Sequence, residues 1–235
     1  MGGINPGLLT TVIPAMSLFA SMSGALLGMP DTLVNARNAG IFRSHKINGV
    51  PVLSLLTIPV ITSMLHALLV TAIIAVTAPL IFGGQAIVNW AGFLLVFLVS
   101  AFALAGAGTL IGVVSSNSRM TVLLSLLVFL PSMILRGLMG PVSILPAVLA
   151  KVALLLQTSH AMDAFSSLAM GLAVTHPWWS LAILASGGAA AFGTAALLLS
   201  RDSRNGTRRA PVAWAALAEV PYMAGLVASF WTVSA

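Results

Sequence analysis

Charge is nearly missing from this chain: only 6% of its 235 residues are Asp, Glu, Lys or Arg, while 59% are hydrophobic. Soluble domains carry about a quarter charged residues and roughly half apolar ones. A fold of this size in water could not cover its surface with so few polar side chains, and the mean hydropathy of +1.09 says the same. Cysteine is absent altogether, which removes disulfides, thiol nucleophiles and thiolate metal sites from consideration. Lysine occurs only at positions 46 and 151. Neither follows a glycine-rich loop, so there is no phosphate-cradling Walker motif and no means of hydrolysing ATP on this chain. What is left is an integral membrane protein, helical because a lipid-exposed backbone must satisfy its own hydrogen bonds.

The apolar stretches define the spans. The first runs from Pro6 to Pro30, long enough at about 1.5 Å per residue to cross a core of ~30 Å; the start MGGINPG lacks a signal peptide's positive n-region. Pro14 should kink it, and Ala20, Gly24 and Gly28 place a small-residue stripe on one helix face. Val52 to Phe82 is longer than one upright span needs, which implies tilt. Ile87 to Val114 is the third, anchored by Trp90 and ending on the small-residue pair Gly108 and Gly112. The fourth starts at Thr121 and runs toward Leu135, where Pro131 interrupts it. Arg136 to Gly171 is broken by Gly137, Gly140, Pro141 and Pro146 and carries Lys151, His160 and Asp163. Short helices that dip into the membrane and return fit it better than a span. The fifth span, Trp178 to Leu199, stops at Arg201, Arg204, Arg208 and Arg209. For the apolar tail from Pro211 to Ala235, with Glu219 near its middle, a sixth span and an interface-lying segment fit equally well.

Between the first two spans lies the polar, basic island Asp31 to Pro51. With that island in the cytoplasm, eight of the ten Lys and Arg residues fall on the cytoplasmic side and only Arg136 and Lys151 on the other. The positive-inside rule therefore puts the island inside and the amino terminus outside. The net charge of +6 reflects this topology code and implies no nucleic acid. The expected architecture is all-α integral membrane, with five to six transmembrane helices and a re-entrant helical hairpin on the extracellular side before the last span. Residues 1–200 form the transmembrane domain, with the re-entrant region at 136–171. Residues 201–235 form a basic cytoplasmic segment and the tail.

Three pieces resemble the permease subunit of type-2 ABC exporters: a Pro-Gly-Leu-Leu start to a span (Pro6 to Leu9), an Arg-x-x-Gly core followed by basic residues and a Pro (Arg37 to Pro51), and Gly137-Leu138-Met139-Gly140-Pro141, then Leu145-Pro146, then Ser159-His160-Ala161-Met162-Asp163-Ala164. The third is the most specific, because apolar bias alone does not order these residues this way. The resemblance covers roughly Pro6 to Arg201. It implies six spans per subunit and two subunits per pore, the second a copy or a homologue. It also implies a separate ABC ATP-binding subunit holding the ATP and Mg, and a place in the inner or plasma membrane. No cofactor or metal is expected on this chain, and it is not itself an enzyme. The family's amphipathic elbow and first span have no counterpart here, and its acidic neighbours of the loop Arg are Ala36 and Asn38.

On the resemblance, Asn35, Arg37, Gly40, Phe42, Arg43 and Lys46 form the ATPase-docking loop, with the basic side chains pairing with acids on the motor. Gly137, Gly140, Pro141, Pro146, His160 and Asp163 form the re-entrant outer gate. The expected activity is ATP-driven export of hydrophobic or amphipathic, drug-like cargo by alternating access. His66, in the middle of the second run, is a pathway candidate because a membrane-embedded ionisable group is functional by default; a helix-packing hydrogen bond is its plainer use. The alternative is an ion-gradient-driven secondary transporter, which should show inverted repeats and midplane charges. No repeat is visible, and His66 is the one midplane candidate in the well-defined spans. A serine protease built from His66 and Ser186-Gly187-Gly188 lacks the Gly-x-Ser-Gly setting that such an enzyme needs.

Overall fold

The structure, a computed structural model, describes residues 6–83, 85–135, 149, 153–173, 176–205 and 220–223. Gly137, Gly140, Pro141 and Pro146 of the expected gate lie outside them, as do Arg136 and Lys151; of the expected re-entrant region 136–171, the described residues are 149 and 153–171. Among the described residues the chain is all-α with no strand. Five helices are long and apolar enough to cross a bilayer, as the run lengths predict.

The first span is longer than expected. Helix α1 (Pro6–Met22) passes through a π-helical stretch (Ser23–Gly28) into α2 (Met29–Asn38) without a break. Pro30 sits in the first turn of α2, where a missing N–H is tolerated. The π stretch just before it is where the ladder changes register, so proline does not end the helix. Half of the island is therefore the last turns of the first span, with Leu33 and Val34 buried, and not a loop. Gly40, at a φ of 72°, ends α2, and α3 (Ile41–Ile47) follows. Gly49, at a φ of 78°, closes that short helix, and α4 (Val52–Phe82) starts after the extended Pro51.

Asn89 caps α5 (Trp90–Val114) by accepting a hydrogen bond from the Gly92 amide at 3.1 Å. Asn117 caps α6 (Ser118–Leu135) in the same way, accepting from the Met120 amide at 2.9 Å. Pro131 lies inside α6 and does not interrupt it, as Pro14, Pro59 and Pro79 lie inside α1 and α4. In an apolar surround a peptide group released from the ladder has no water to turn to, so the helix continues around the defect. The short helix α7 (Gln157–Ala164) runs into a second π stretch (Phe165–Ala169). Finally α8 (Pro177–Asn205) carries the fifth span and continues past Arg201 and Arg204, the first two of the arginines expected to stop it.

Helix α5 is the axis of the bundle: 67% of its most apolar 18-residue stretch is buried, against 22% for that of α4. Its glycines explain how the neighbours get so close. A Cβ on Gly92 would fall 2.2 Å from the carbonyl oxygen of Leu168 in the second π stretch. One on Gly108 would lie 1.9 Å from that of Ala25 in the first. Gly106 would meet the Gly188 carbonyl of α8 at 2.7 Å, and Gly112 the Pro30 carbonyl at 3.1 Å. All four thus face a backbone carbonyl where another residue would have a side chain. Lipid supplies no hydrophobic drive between helices, so such close backbone packing is what holds a membrane bundle together.

Gly108→Ala should consequently lower the thermal stability of the purified chain in detergent, by about 2 kcal/mol in free-energy terms. Gly193→Ala, where the added methyl meets nothing within 4 Å, should be neutral or stabilise by up to ~1 kcal/mol.

Candidate functional site

Most of the expected site residues that the structure describes fall at the two ends of the bundle. At the basic end, α5 finishes with unpaired carbonyls, as every helix does. Ser115 turns extended, and its amide still bonds back to the Ile111 carbonyl. Arg37, one helical position before the end of α2, reaches across and supplies the donors. Its Nη1 lies 2.8 Å from the Val113 carbonyl and its Nη2 donates to the Ser115 carbonyl. A forked cation at a helix carboxyl end is favourable on two counts, hydrogen bonding and the helix dipole. Two residues earlier, the Asn35 amide donates to the Asp31 carboxylate at 2.9 Å, while its carbonyl accepts from the Ser118 hydroxyl at 3.4 Å. The end of α2 is thus fastened to the α5–α6 turn through both a cation and an amide.

The second half of the island is built differently. Helix α3 is joined on each side through a glycine with positive φ, Gly40 and Gly49, and neither has anything within 4 Å of its would-be Cβ. Phe42 is half-buried and packs against the core. Ile41 and Ile47 point outward, the latter 77% exposed; Ser44, His45 and Asn48 are exposed as well. Arg43 and Lys46 lie on this helix, their side chains outside the described residues. Of the expected docking residues, then, Asn35 and Arg37 are engaged within the fold, Phe42 seats the short helix, Gly40 frees it, and α3 alone projects.

At the opposite end the amides of Val88 and Asn89 share the Ala169 carbonyl, at 3.0 and 3.1 Å. Phe93 of α5 packs on Phe165 with ring centroids 5.4 Å apart. His160 is buried in α7, and its Nε2 lies 3.0 Å from the Leu154 carbonyl. Ser159 bonds the Ala153 carbonyl beside it. The histidine therefore fixes the turn that leads into α7; Asp163, three residues on, is half-buried.

His66 is exposed on α4, the least buried span, and not turned into the bundle. Ser186 donates to the Ile183 carbonyl at 3.0 Å. Its neighbour Gly188 admits α5, and Gly187 admits the ring of Tyr222, so the Ser-Gly-Gly run serves packing. Two features escaped the sequence reading: the inward use of Arg37 and the burial of Tyr222. A basic residue in the last turn of a helix and the only tyrosine of the chain, in an otherwise apolar tail, were the available signals.

Arg37→Met should destabilise the purified chain by about 1.5–3 kcal/mol, the worth of charge-assisted bonds lost to buried carbonyls. Arg37→Lys, which keeps the charge but not the fork, should fall between the two in thermal unfolding.

Against known proteins, the family model described as ABC-2 family transporter protein matches residues 2–198. No curated protein and no solved structure matches the chain.

Proposed function

We propose that this chain, which belongs to the ABC-2 transporter family, works as the membrane-spanning half of an ATP-driven exporter and receives its drive through α3. The family makes it a multi-pass permease of the ABC type, a membrane component that normally pairs with an ATP-binding subunit. The finer reading rests on one observation: a short exposed helix, free at two glycine joints, stands on a base tied by Arg37 to the end of the central helix.

The mechanism follows from that arrangement. An ATP-binding subunit grips α3 through its exposed isoleucines and the basic residues that the same helix carries. Nucleotide binding closes a pair of such subunits and displaces α3. Movement of α3 is carried by α2 to the α5–α6 turn, because the guanidinium holds both carbonyls. The helices then rock, and cargo leaves on the side away from the basic residues. The greasy bundle and low aromatic content (7%) favour hydrophobic or amphipathic cargo over sugars. The site stands in the inner or plasma membrane, with α3 in the cytoplasm, and a second permease copy or homologue completes the pore.

The test is reconstitution with the ATP-binding subunit that co-purifies with the chain. Ile47→Asp and Arg43→Glu on α3 should each lower cargo-stimulated ATP hydrolysis without changing the thermal stability of the permease. Wild-type stimulation in both would remove α3 as the point of contact. Transport in vesicles holding this chain alone, driven by a proton or sodium gradient, would instead establish the secondary transporter.

A further inference from the structure

The family match ends at residue 198, yet the chain beyond it takes part in the fold. Tyr222 is 1% exposed and is among the largest fully buried side chains in the protein. Its ring fills the notch left by Gly187 on α8: a Cβ there would fall 2.2 Å from the phenolic oxygen and 2.3 Å from Cζ. On another side the ring stacks on His160 of α7, with centroids 6.3 Å apart and planes 28° apart. His160 is itself oriented by the Leu154 carbonyl at 3.0 Å. One aromatic ring from the carboxy-terminal segment thus touches both α7 and α8. Val220 and Met223, on either side of it, are 55% and 50% exposed, so the turn puts its tyrosine inward and its aliphatic neighbours outward.

Depth is what makes this informative. Gly187 lies near the middle of the apolar part of α8, Pro177–Ser200, and about 20 Å back along the helix from Ser200 at 1.5 Å per residue. A segment lying on the interface beside the basic end of α8 cannot reach it. By Val220 the chain that left α8 at Asn205 is back beside the helix's middle. We infer that the carboxy-terminal segment re-enters the membrane as part of the transport domain, and that Tyr222 is the wedge that holds α7 against α8. Opening of the α7 end during transport requires either that Tyr222 leave the notch or that the segment move with α8.

The test needs neither cargo nor ATPase, so its outcome is independent of the proposed function. In a chain without cysteine, Met223→Cys introduces a single thiol. In sealed membranes a membrane-impermeant maleimide should leave that thiol unmodified from either face and label it once detergent is added. A control thiol from Asn48→Cys, on the exposed end of α3, should label from one face. Modification at position 223 in sealed membranes overturns the inference. In a second arm, His160→Cys with Tyr222→Cys should be bridged by a short bifunctional thiol reagent, seen as an intramolecular adduct by intact mass. A chain protected at position 223 but unbridged overturns the wedge. If the double variant is not recovered folded, a benzophenone side chain at position 222, which preserves an aromatic ring, should photo-cross-link to α7 or α8. Adducts elsewhere overturn the wedge in the same way.

Discussion

Backbone-to-backbone contact on one helix is the constraint on which this fold depends. At Gly92, Gly106, Gly108 and Gly112, α5 receives carbonyl groups from four different places in the chain. The first span, the last span and the helix before it all pack on α5 at these points. A side chain larger than hydrogen at any of them would push a neighbouring backbone aside. Dispersion is strongest where atoms come closest, and in lipid it has little help from the hydrophobic effect. Both π stretches lie at these contacts, with Ala25 in one and Leu168 in the other. Local widening of the helix is how the chain brings those carbonyls to face glycine.

The ends of α5 connect this packing to function. One end is closed by Arg37 at the Val113 and Ser115 carbonyls. Just before the other, the Val88 and Asn89 amides meet the Ala169 carbonyl. The projecting helix α3 and the buried helix α7 therefore attach to opposite ends of a single rigid element. The same arrangement accounts for the division of labour within the basic island. Residues that look alike in sequence, Arg37 and Arg43, lie on a fixed base and on a free helix respectively.

A good deal was legible beforehand. Long apolar runs bounded by arginines, tryptophans and glycines set the number of spans, because hydrocarbon thickness demands such lengths. The second run ends at Phe82 as expected, capped by Gly83 at a φ of 64°. The prolines misled: Pro30 and Pro131 read as breaks, but within an apolar bundle the helix absorbs them. His66 stands on the exposed side of α4, a placement the sequence left open because a run apolar on every side has no moment to say which face turns in.

Composition and pattern by themselves determined that this is a helical membrane protein of about five spans, with no ATP-hydrolysing motif and with a basic island between its first two spans. These follow from transfer free energies and lengths, which are properties of segments taken one at a time. Only the tertiary structure decided that α5 is the axis, that Arg37 turns inward as a helix cap, and that Tyr222 returns to the middle of α8. Each of these is a relation between residues far apart in the chain, and among helices that are almost uniformly apolar no local signal says which faces meet.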